Sequence, residues 1–138
     1  MDLYKTKKSR VSGMSYRNIY LIAREEYRKI KNQTKRKPYV RSKYFNKDKV
    51  FMDYFWAHLK QKSWKDRRRR LKFYSCAVEL IKENKFDPET REDTTNSNIM
   101  LHRFKGVTKN NIEFFVQIKE NKKNNQKYFL SVFPKKDK

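Results

Sequence analysis

The chain is poor in the residues that build several common kinds of functional site. It has two glycines, one cysteine and two histidines among 138 residues. So few glycines argue against the glycine-rich loop that cradles phosphate in P-loop enzymes. A lone cysteine excludes a disulfide framework and argues against a cysteine-based zinc site, so we interpret Cys76 as a small core residue.

Signals for membranes, metals and cofactors are also missing. There is no run of 18 apolar residues, and the opening MDLYKTKKSR lacks the apolar centre of a signal peptide. His58 and His102 are far apart, and the acidic stretch 87–93 lacks the glycine and ligand spacing of a calcium loop. We therefore predict a cytoplasmic protein with no membrane segment, no metal and no cofactor.

Positive charge is what the chain has in excess. Lysine and arginine number 37 against 15 acidic residues, which gives a formal net charge of +22. Residues 1–76 carry 24 basic and six acidic side chains, whereas residues 77–96 carry three and six. Such a chain favours nucleic acid, an anionic membrane surface or an acidic protein as its partner. Phe, Tyr and Trp make up 15% of the residues, enough for a small core, which argues against general disorder.

Apolar periodicity predicts an α+β protein, with N-terminal helices packed on a C-terminal three- to four-stranded antiparallel sheet. Helices are expected over 15–32, 47–61 and 63–84, and YVRSKYF after Pro38 is either a short strand or an extended segment. NIMLHRF, NIEFFVQIKE and KYFLSVF alternate as strands of a meander. The predicted organisation is a flexible basic arm over 1–14 and a single domain over 15–134, made of a helical part 15–86, an acidic linker 87–97 and the meander 98–134.

A run of four arginines is the most basic feature of the chain. On a helix these side chains spread around the axis, so at least two of them project outward, either as a solvated face or as phosphate contacts. Aromatic residues could stack on unpaired bases or fill the core: Tyr39, Tyr44, Trp56 and Trp64. The predicted nucleic-acid-binding residues are Arg67, Arg68, Arg69, Arg70, Lys105, Arg41 and Lys43.

RNA can be cut without a metal, because its own 2′-OH is the nucleophile and protein groups need only move protons and stabilise charge. Three stretches, YFNKDKVFMDYFWAHL, RRRRLKFYSCAVELI and HRFKGVTKNNIEFFVQIKENKKNNQKYFLSVFP, resemble a set of small basic bacterial proteins over about 37–134. The last stretch also resembles the C-terminal sheet of the nuclease group that joins barnase, EndoU, colicin tRNases and RelE-type toxins. That resemblance implies helices followed by an antiparallel sheet, and metal-independent RNA cleavage.

By position and type, the resemblance implies His102, Arg103, Lys119 and Ser131 as catalytic residues. Strand parity puts Lys119 and Ser131 on one side of the sheet if the polar faces of the last two strands coincide. Either His102 or Arg103 joins them, because neighbouring strand residues point to opposite faces.

The expected function is therefore a toxin-like, metal-independent endoribonuclease acting on tRNA, mRNA or ribosome-bound RNA. A non-catalytic protein that binds RNA or DNA with the same basic surface is the alternative. A third hypothesis is an adaptor that binds an acidic protein, and an acidic antitoxin or immunity protein is a partner of that chemistry.

Overall fold

A computed structural model of the protein describes residues 3–135. Within that range the chain forms four helices and one seven-stranded mixed sheet. The helices are α1 (Tyr16–Asn32), α2 (Asp53–Leu59), α3 (Trp64–Leu71) and α4 (Tyr74–Glu83). The strands are β1 (Tyr4–Lys5), β2 (Tyr39–Ser42), β3 (Asp48–Phe51), β4 (Glu89–Glu92), β5 (Ile99–Val107), β6 (Glu113–Asn121) and β7 (Gln126–Pro134).

Helices α1 and α3 begin at serine caps, as the sequence pattern indicates. Ser15 accepts a hydrogen bond from the N–H of Asn18, and Ser63 accepts one from the N–H of Asp66, both at 3.3 Å. Lys29 lies in the last turn of α1, where a cation complements the helix dipole. No helix in the described part of the chain is long and apolar enough to cross a membrane.

The sheet is larger and more mixed than the predicted three- to four-stranded antiparallel sheet, so that prediction is wrong although the class is broadly α+β. Strands β5, β6 and β7 do form an antiparallel meander, but it lies in the middle of the order β1-β5-β6-β7-β3-β2. β4 also pairs with β5. Two of the pairings are parallel, β1 with β5 and β3 with β7.

The predicted helix over 47–61 is half strand. Residues 48–51 form β3, and the helix starts only at Asp53. Asn46 and Lys47 both have positive φ, 56° and 70°, which turns the chain back so that β2 and β3 form a hairpin. Val50 is then fully buried between β2 and β7, and this tertiary pairing overrides the local helical pattern.

Two segments that were expected to lack regular structure contribute to the sheet edge. Tyr4 and Lys5, within the expected arm, pair with Gly106 and Val107 of β5. Residues 89–92, within the expected acidic linker, pair with β5 over its N-terminal half. The predicted helix over 63–84 also divides in two, because the chain bends between α3 and α4 at residues 72–73.

The apolar helix side chains that fill the core pack on one face of the sheet, which we call the helix face. Phe55 of α2 stacks on Phe129 with ring centroids 4.7 Å apart, and Phe73 stacks on Phe114 at 5.7 Å. The sheet comes so close to α4 at Gly106 that a Cβ there would lie 2.5 Å from Leu80 Cδ1. The opposite face we call the open face, and its side chains come from alternate positions of β2, β3, β5, β6 and β7.

A bulge in β7 decides which residues reach the open face. Gln117 opposes Ser131, but Ile118 opposes Phe129, so Leu130 is an extra residue between the two pairs. Directly opposed residues share a face, so Ser131 lies on the open face whereas Phe129 is fully buried on the helix face. Simple alternation along the strand would put Phe129 and Ser131 on the same face, and the bulge is what separates them.

Candidate nucleic-acid interface

A row of aromatic rings crosses one end of the open face. Register places Tyr39 opposite Phe51, Phe51 beside Tyr128, and Tyr128 opposite Lys119. The Tyr39 and Phe51 ring centroids are 6.3 Å apart, and those of Phe51 and Tyr128 are 5.9 Å apart. Tyr54, at the start of α2, adds a fourth ring 5.8 Å from Tyr128 and is 39% exposed. These rings form a partly exposed apolar strip from β2 to β7.

Cations lie against this strip. The ammonium of Lys119 is 5.0 Å from the centre of the Tyr54 ring and 3.5 Å from its hydroxyl oxygen. At the other end, the Lys49 ammonium and the Arg41 guanidinium lie 4.7 Å and 5.4 Å from the Tyr39 ring centre. Cations over ring faces gain some stabilisation from the quadrupole while keeping their charge available to an anion.

A second aromatic and basic cluster lies further along the same face. The rings of Phe115 and Phe133 are 5.5 Å apart, and the Arg103 guanidinium sits 5.6 Å from the centre of each. Between the two clusters, a polar row crosses the strands because Arg103 opposes Gln117 and Gln117 opposes Ser131. The open face thus alternates rings, cations and neutral hydrogen-bonding groups.

Arg70 extends this cluster from α3. Its Nη1 donates a hydrogen bond to Ser131 Oγ at 3.2 Å, and its guanidinium lies 5.5 Å from the centre of the Phe133 ring. Asp66 orients Arg70 through an ion pair at 3.2 Å. Burial opposes ionisation of Asp66, but hydrogen bonds and charges from Arg69 and Arg70 hold the pKa of this carboxyl below its ordinary value. Asp66 therefore stays charged at neutral pH.

The other three arginines of the run make contacts within the protein. Arg67 donates to the carbonyl oxygens of Lys60 and Lys62, at 2.6 and 2.9 Å. Arg68 donates to the carbonyl oxygen of Met14 at 2.9 Å, and Arg69 pairs with Asp66 at 3.0 Å. Arg67 and Arg68 therefore tie neighbouring segments to α3 in addition to contributing positive charge.

The four predicted catalytic residues divide between the two faces. Arg103, Lys119 and Ser131 lie on the open face, as their opposed partners require. His102 opposes Ile118, which is 1% exposed on the helix face, so Arg103 is the neighbour that joins the polar row. The predicted set therefore does not meet in one place.

His102 belongs to a buried polar network. Its Nδ1 lies 2.8 Å from Thr90 Oγ1, and its Nε2 lies 2.8 Å from Glu120 Oε1. Glu120 also lies 3.4 Å from the ammonium of Lys127, which pairs with Asp48 at 3.0 Å. Because these residues come from β3, β4, β5, β6 and β7, the network connects five strands of the sheet.

The remaining predicted binding residues are also dispersed. Lys105 lies on the open face and pairs with Glu113 at 3.2 Å. Hydrogen bonds from Lys135 and Lys105 lower the pKa of that carboxyl. Arg41 donates to the carbonyl oxygen of Lys47 at 2.9 Å while lying over Tyr39. Lys43 lies in a different groove, on the side of α4.

Only some of the aromatic residues proposed for stacking are available. Tyr39 lies on the open face, and Trp64 is 57% exposed. Trp56 is 8% exposed and packs among Tyr20, Tyr27, Phe55 and Tyr74. The Tyr44 ring packs edge-on against the rings of Phe45 and Phe104.

Sequence reasoning missed the contribution of α2 to this face. His58 follows Tyr54 by four residues, so the two side chains point to the same side of the helix. Burial, followed by the charges of Lys62 and Arg70, lowers the pKa of His58, which is therefore neutral at pH 7. The four-residue spacing was visible in the sequence, but the strand at 48–51 that aims α2 at β7 was not.

No group of three or more His, Cys, Asp or Glu side chains among residues 3–135 is placed to hold a metal ion. No protein-family model, curated protein or solved structure matches the chain at a significant level. The resemblance to the nuclease group accordingly stays a prediction made from its sequence motifs.

Proposed function

We propose that this protein binds single-stranded RNA across the open face of its sheet. The observation that carries the proposal is the aromatic row Tyr39–Phe51–Tyr128 with Lys119 at its end. Unpaired bases stack on aromatic side chains whatever their sequence, and neighbouring cations hold the phosphates. Three strand spacings of about 4.8 Å make the row from Tyr39 to Lys119 about 14 Å wide, enough for a few nucleotides.

Charge and chemistry support RNA as the ligand of this face. The net charge of +22 supplies a strong long-range attraction to polyanions. Gln117 and the Tyr54 hydroxyl offer neutral hydrogen-bonding groups beside the rings, which suit the 2′-OH that distinguishes RNA from DNA. In this proposal the protein works in the cytoplasm, on exposed single-stranded parts of tRNA, mRNA or ribosome-bound RNA.

Fluorescence anisotropy with labelled octauridine tests the proposal. Octauridine should bind more tightly than an RNA duplex of the same length, because paired bases cannot stack on the rings. Tyr128→Ala should weaken octauridine binding by about tenfold, from the loss of one stacking platform. Trp64→Ala is the matched control, since it removes an exposed ring outside the open face. Equal losses for both variants would overturn the proposal.

Metal-independent cleavage of the bound RNA is the second candidate function. The observation that favours it is the presence of Arg103 and Lys119 on the open face together with a neutral histidine, His58, whose pKa is lowered by burial and by the charges of Lys62 and Arg70. Ser131 is buried there and contacts Arg70. A neutral imidazole can take the proton of the attacking 2′-OH, while lysine and arginine stabilise the charge that develops on the phosphate. Ser131 would help to position that phosphate through Arg70.

End-group analysis of RNA incubated with the protein in EDTA tests this second candidate. A 2′,3′-cyclic phosphate is the expected product, because the 2′-OH is the nucleophile. His58→Ala and Lys119→Ala should each lower the rate by about 10²-fold, and Ser131→Ala should lower it less. RNA with 2′-O-methyl groups should bind without being cut. Absence of cleavage by the wild-type protein would leave binding as the whole function.

A further inference from the structure

A groove lies at the end of the sheet that is farthest from β5. It has a volume of about 780 Å³ and runs between α1, β2 and α4. Its apolar lining comes from Leu21, Ile22, Ile30, Val40 and Val78. Leu21 and Ile22 are 54% and 39% exposed, which is unusual for neighbouring large apolar residues on one helix.

The edge of β2 faces this groove with unpaired backbone groups. Met52 donates its N–H to the carbonyl oxygen of the opposed Pro38 at 2.9 Å. This bond fixes which residues of β2 point their backbone N–H and C=O groups toward β3 and which point them outward. Val40 is then the next residue bonded to β3, and the N–H and C=O groups of Tyr39 and Arg41 point outward. Within residues 3–135 no protein group hydrogen-bonds to these outward groups.

We propose that this edge docks an extended, acidic segment of a partner protein, which adds a strand beside β2. A second peptide backbone matches the alternating donors and acceptors of Tyr39 and Arg41, whereas a nucleic-acid backbone has no such alternation. The edge adjoins one end of the proposed RNA-binding face, because the side chains of Tyr39 and Arg41 lie on that face, but the docking proposal does not depend on RNA binding.

Charge identifies the partner as acidic. Cations lie on both sides of the edge. Lys29 and Lys82 line the groove, Arg41 lies on the open side over Tyr39, and none of the three takes part in an ion pair within the described chain. The two acidic residues there are already engaged, since Glu25 pairs with Arg28 and Glu26 accepts a hydrogen bond from Ser75. A second copy of this chain is a poor partner because each copy carries a net charge of +22.

The geometry also gives the sequence pattern of the segment. Directly opposed residues share a face of the sheet, so a residue opposite Val40 points into the groove toward Ile22 and Val78. Its two neighbours point to the open side, where the Arg41 side chain lies. An acidic–apolar–acidic alternation therefore fits from the position opposite Tyr39 to the position opposite Arg41. Beyond it, the next outward N–H, that of Lys43, already donates to the carbonyl oxygen of Lys82 at 3.3 Å.

The probe is a capped octapeptide of alternating glutamate and valine, titrated into the isotope-labelled full chain and followed by NMR. The amides of Tyr39 and Arg41 should shift and exchange with solvent more slowly when the peptide is bound. A version N-methylated at alternate residues, which cannot donate to the edge, should cause neither change. Shifts elsewhere on the protein without protection of these two amides would overturn the proposal.

Variants separate the parts of the site. Ile22→Glu should weaken peptide binding by about tenfold, because it places a like charge in the groove, and Trp64→Glu is the matched control on an exposed apolar residue elsewhere. Arg41→Pro removes one outward N–H and should abolish binding, whereas Arg41→Ala keeps that donor and should bind more weakly than the wild type. If Arg41→Pro does not fold, the comparison of Ile22→Glu with Trp64→Glu still tests whether the peptide binds in the groove.

Octauridine is the competing ligand in the same experiment. If it slows solvent exchange of the Tyr39 and Arg41 amides as the peptide does, the edge binds nucleic acid and the proposal is wrong. If octauridine shifts signals on the open face alone, it does not occupy the groove, and the docking proposal stands. Failure of octauridine to bind at all bears on the proposed RNA function and not on this site.

Discussion

The two faces of the central sheet contain the same kinds of side chain and use them differently. On the helix face, cations meet carboxylates: Lys127 pairs with Asp48 and Glu120, and Glu120 also contacts His102. On the open face, Lys119 and Arg103 lie over aromatic rings, and neither takes part in an ion pair within residues 3–135. The adjacent residues His102 and Arg103 show this contrast, because His102 contacts a carboxylate on the helix face and Arg103 lies over aromatic rings on the open face.

The two environments of the cations have different physical consequences. A buried charge must be paired, because removing it from water is costly, and the helix-face network satisfies that requirement. A cation over a ring keeps part of its hydration and can exchange water for phosphate. The helix face therefore supports the fold, whereas Arg103 and Lys119 on the open face carry charges that no ion pair within residues 3–135 neutralises.

Removing the buried cation should have the largest effect on stability. Lys127→Met should lower the free energy of unfolding by about 3 kcal/mol, because it leaves Glu120 partly buried beside His102 without its ammonium partner. Lys119→Met on the open face should change it by less than about 1 kcal/mol. Urea unfolding followed by circular dichroism measures both. Similar losses for the two variants would contradict the distinction between the faces.

A substitution at Gly106, where α4 comes close to the sheet, should give the next largest loss of stability. Gly106→Ala should destabilise the fold by about 2 kcal/mol, because the added methyl group would meet Leu80 Cδ1 and the Phe114 ring. Lys105→Ala, one residue earlier, faces the open side and loses only the exposed ion pair with Glu113, so it should destabilise the fold much less. The same unfolding measurement ranks them, and a reversed order would show that the faces are assigned wrongly.

The open-face cations should appear in the salt dependence of RNA binding. Combining Arg103→Gln with Lys119→Gln should flatten the slope of log K against log salt by about 1.4, from about 0.7 for each phosphate contact on single strands. Lys31→Gln combined with Lys35→Gln removes equal charge from exposed positions off this face and should leave the slope nearly unchanged. Equal changes in the two slopes would mean that only the total charge matters.

His58 should give the smallest effect, a dependence of stability on pH. Its pKa is lowered in the folded state by burial and by the charges of Lys62 and Arg70, so the unfolded chain takes up the proton more readily. The contribution of His58 therefore favours folding above its ordinary pKa of about 6.5 and is lost as the pH falls below that value. His58→Gln should reduce the loss of stability between neutral and mildly acidic pH. An unchanged pH profile would count against the lowered pKa.

The local pattern of the sequence was enough to find the meander, and long-range pairing explains most of what it missed. Ile112, Phe114, Val116 and Ile118 alternate along the chain, and that period depends only on neighbouring residues. β3 is different, because VFMDYFW also has helical spacing and becomes a strand only through pairing with β2 and β7. The short β1 has too few residues to carry a period of its own.

The candidate site was also predicted only in part, because local alternation can be read from the sequence and long-range strand pairing cannot. Strand parity, which is local, predicted that either His102 or Arg103 would join Lys119, and only the pairing of β5 with β6 decides for Arg103. Ser131 lies on the same face as Arg103 and Lys119 only because Leu130 is a bulge residue. The residue types around Leu130 do not predict that bulge. His102 was chosen for its chemistry, but its position opposite Ile118 directs it to the helix face.

Mapping octauridine onto the isotope-labelled protein by NMR shows which face of the sheet binds RNA. If the open face binds it, the ring signals of Tyr39, Phe51 and Tyr128 should shift, whereas those of Phe104 and Phe129 on the helix face should not. Saturable binding with shifts confined to the basic helix α3, and none on the aromatic row, would contradict binding at the open face.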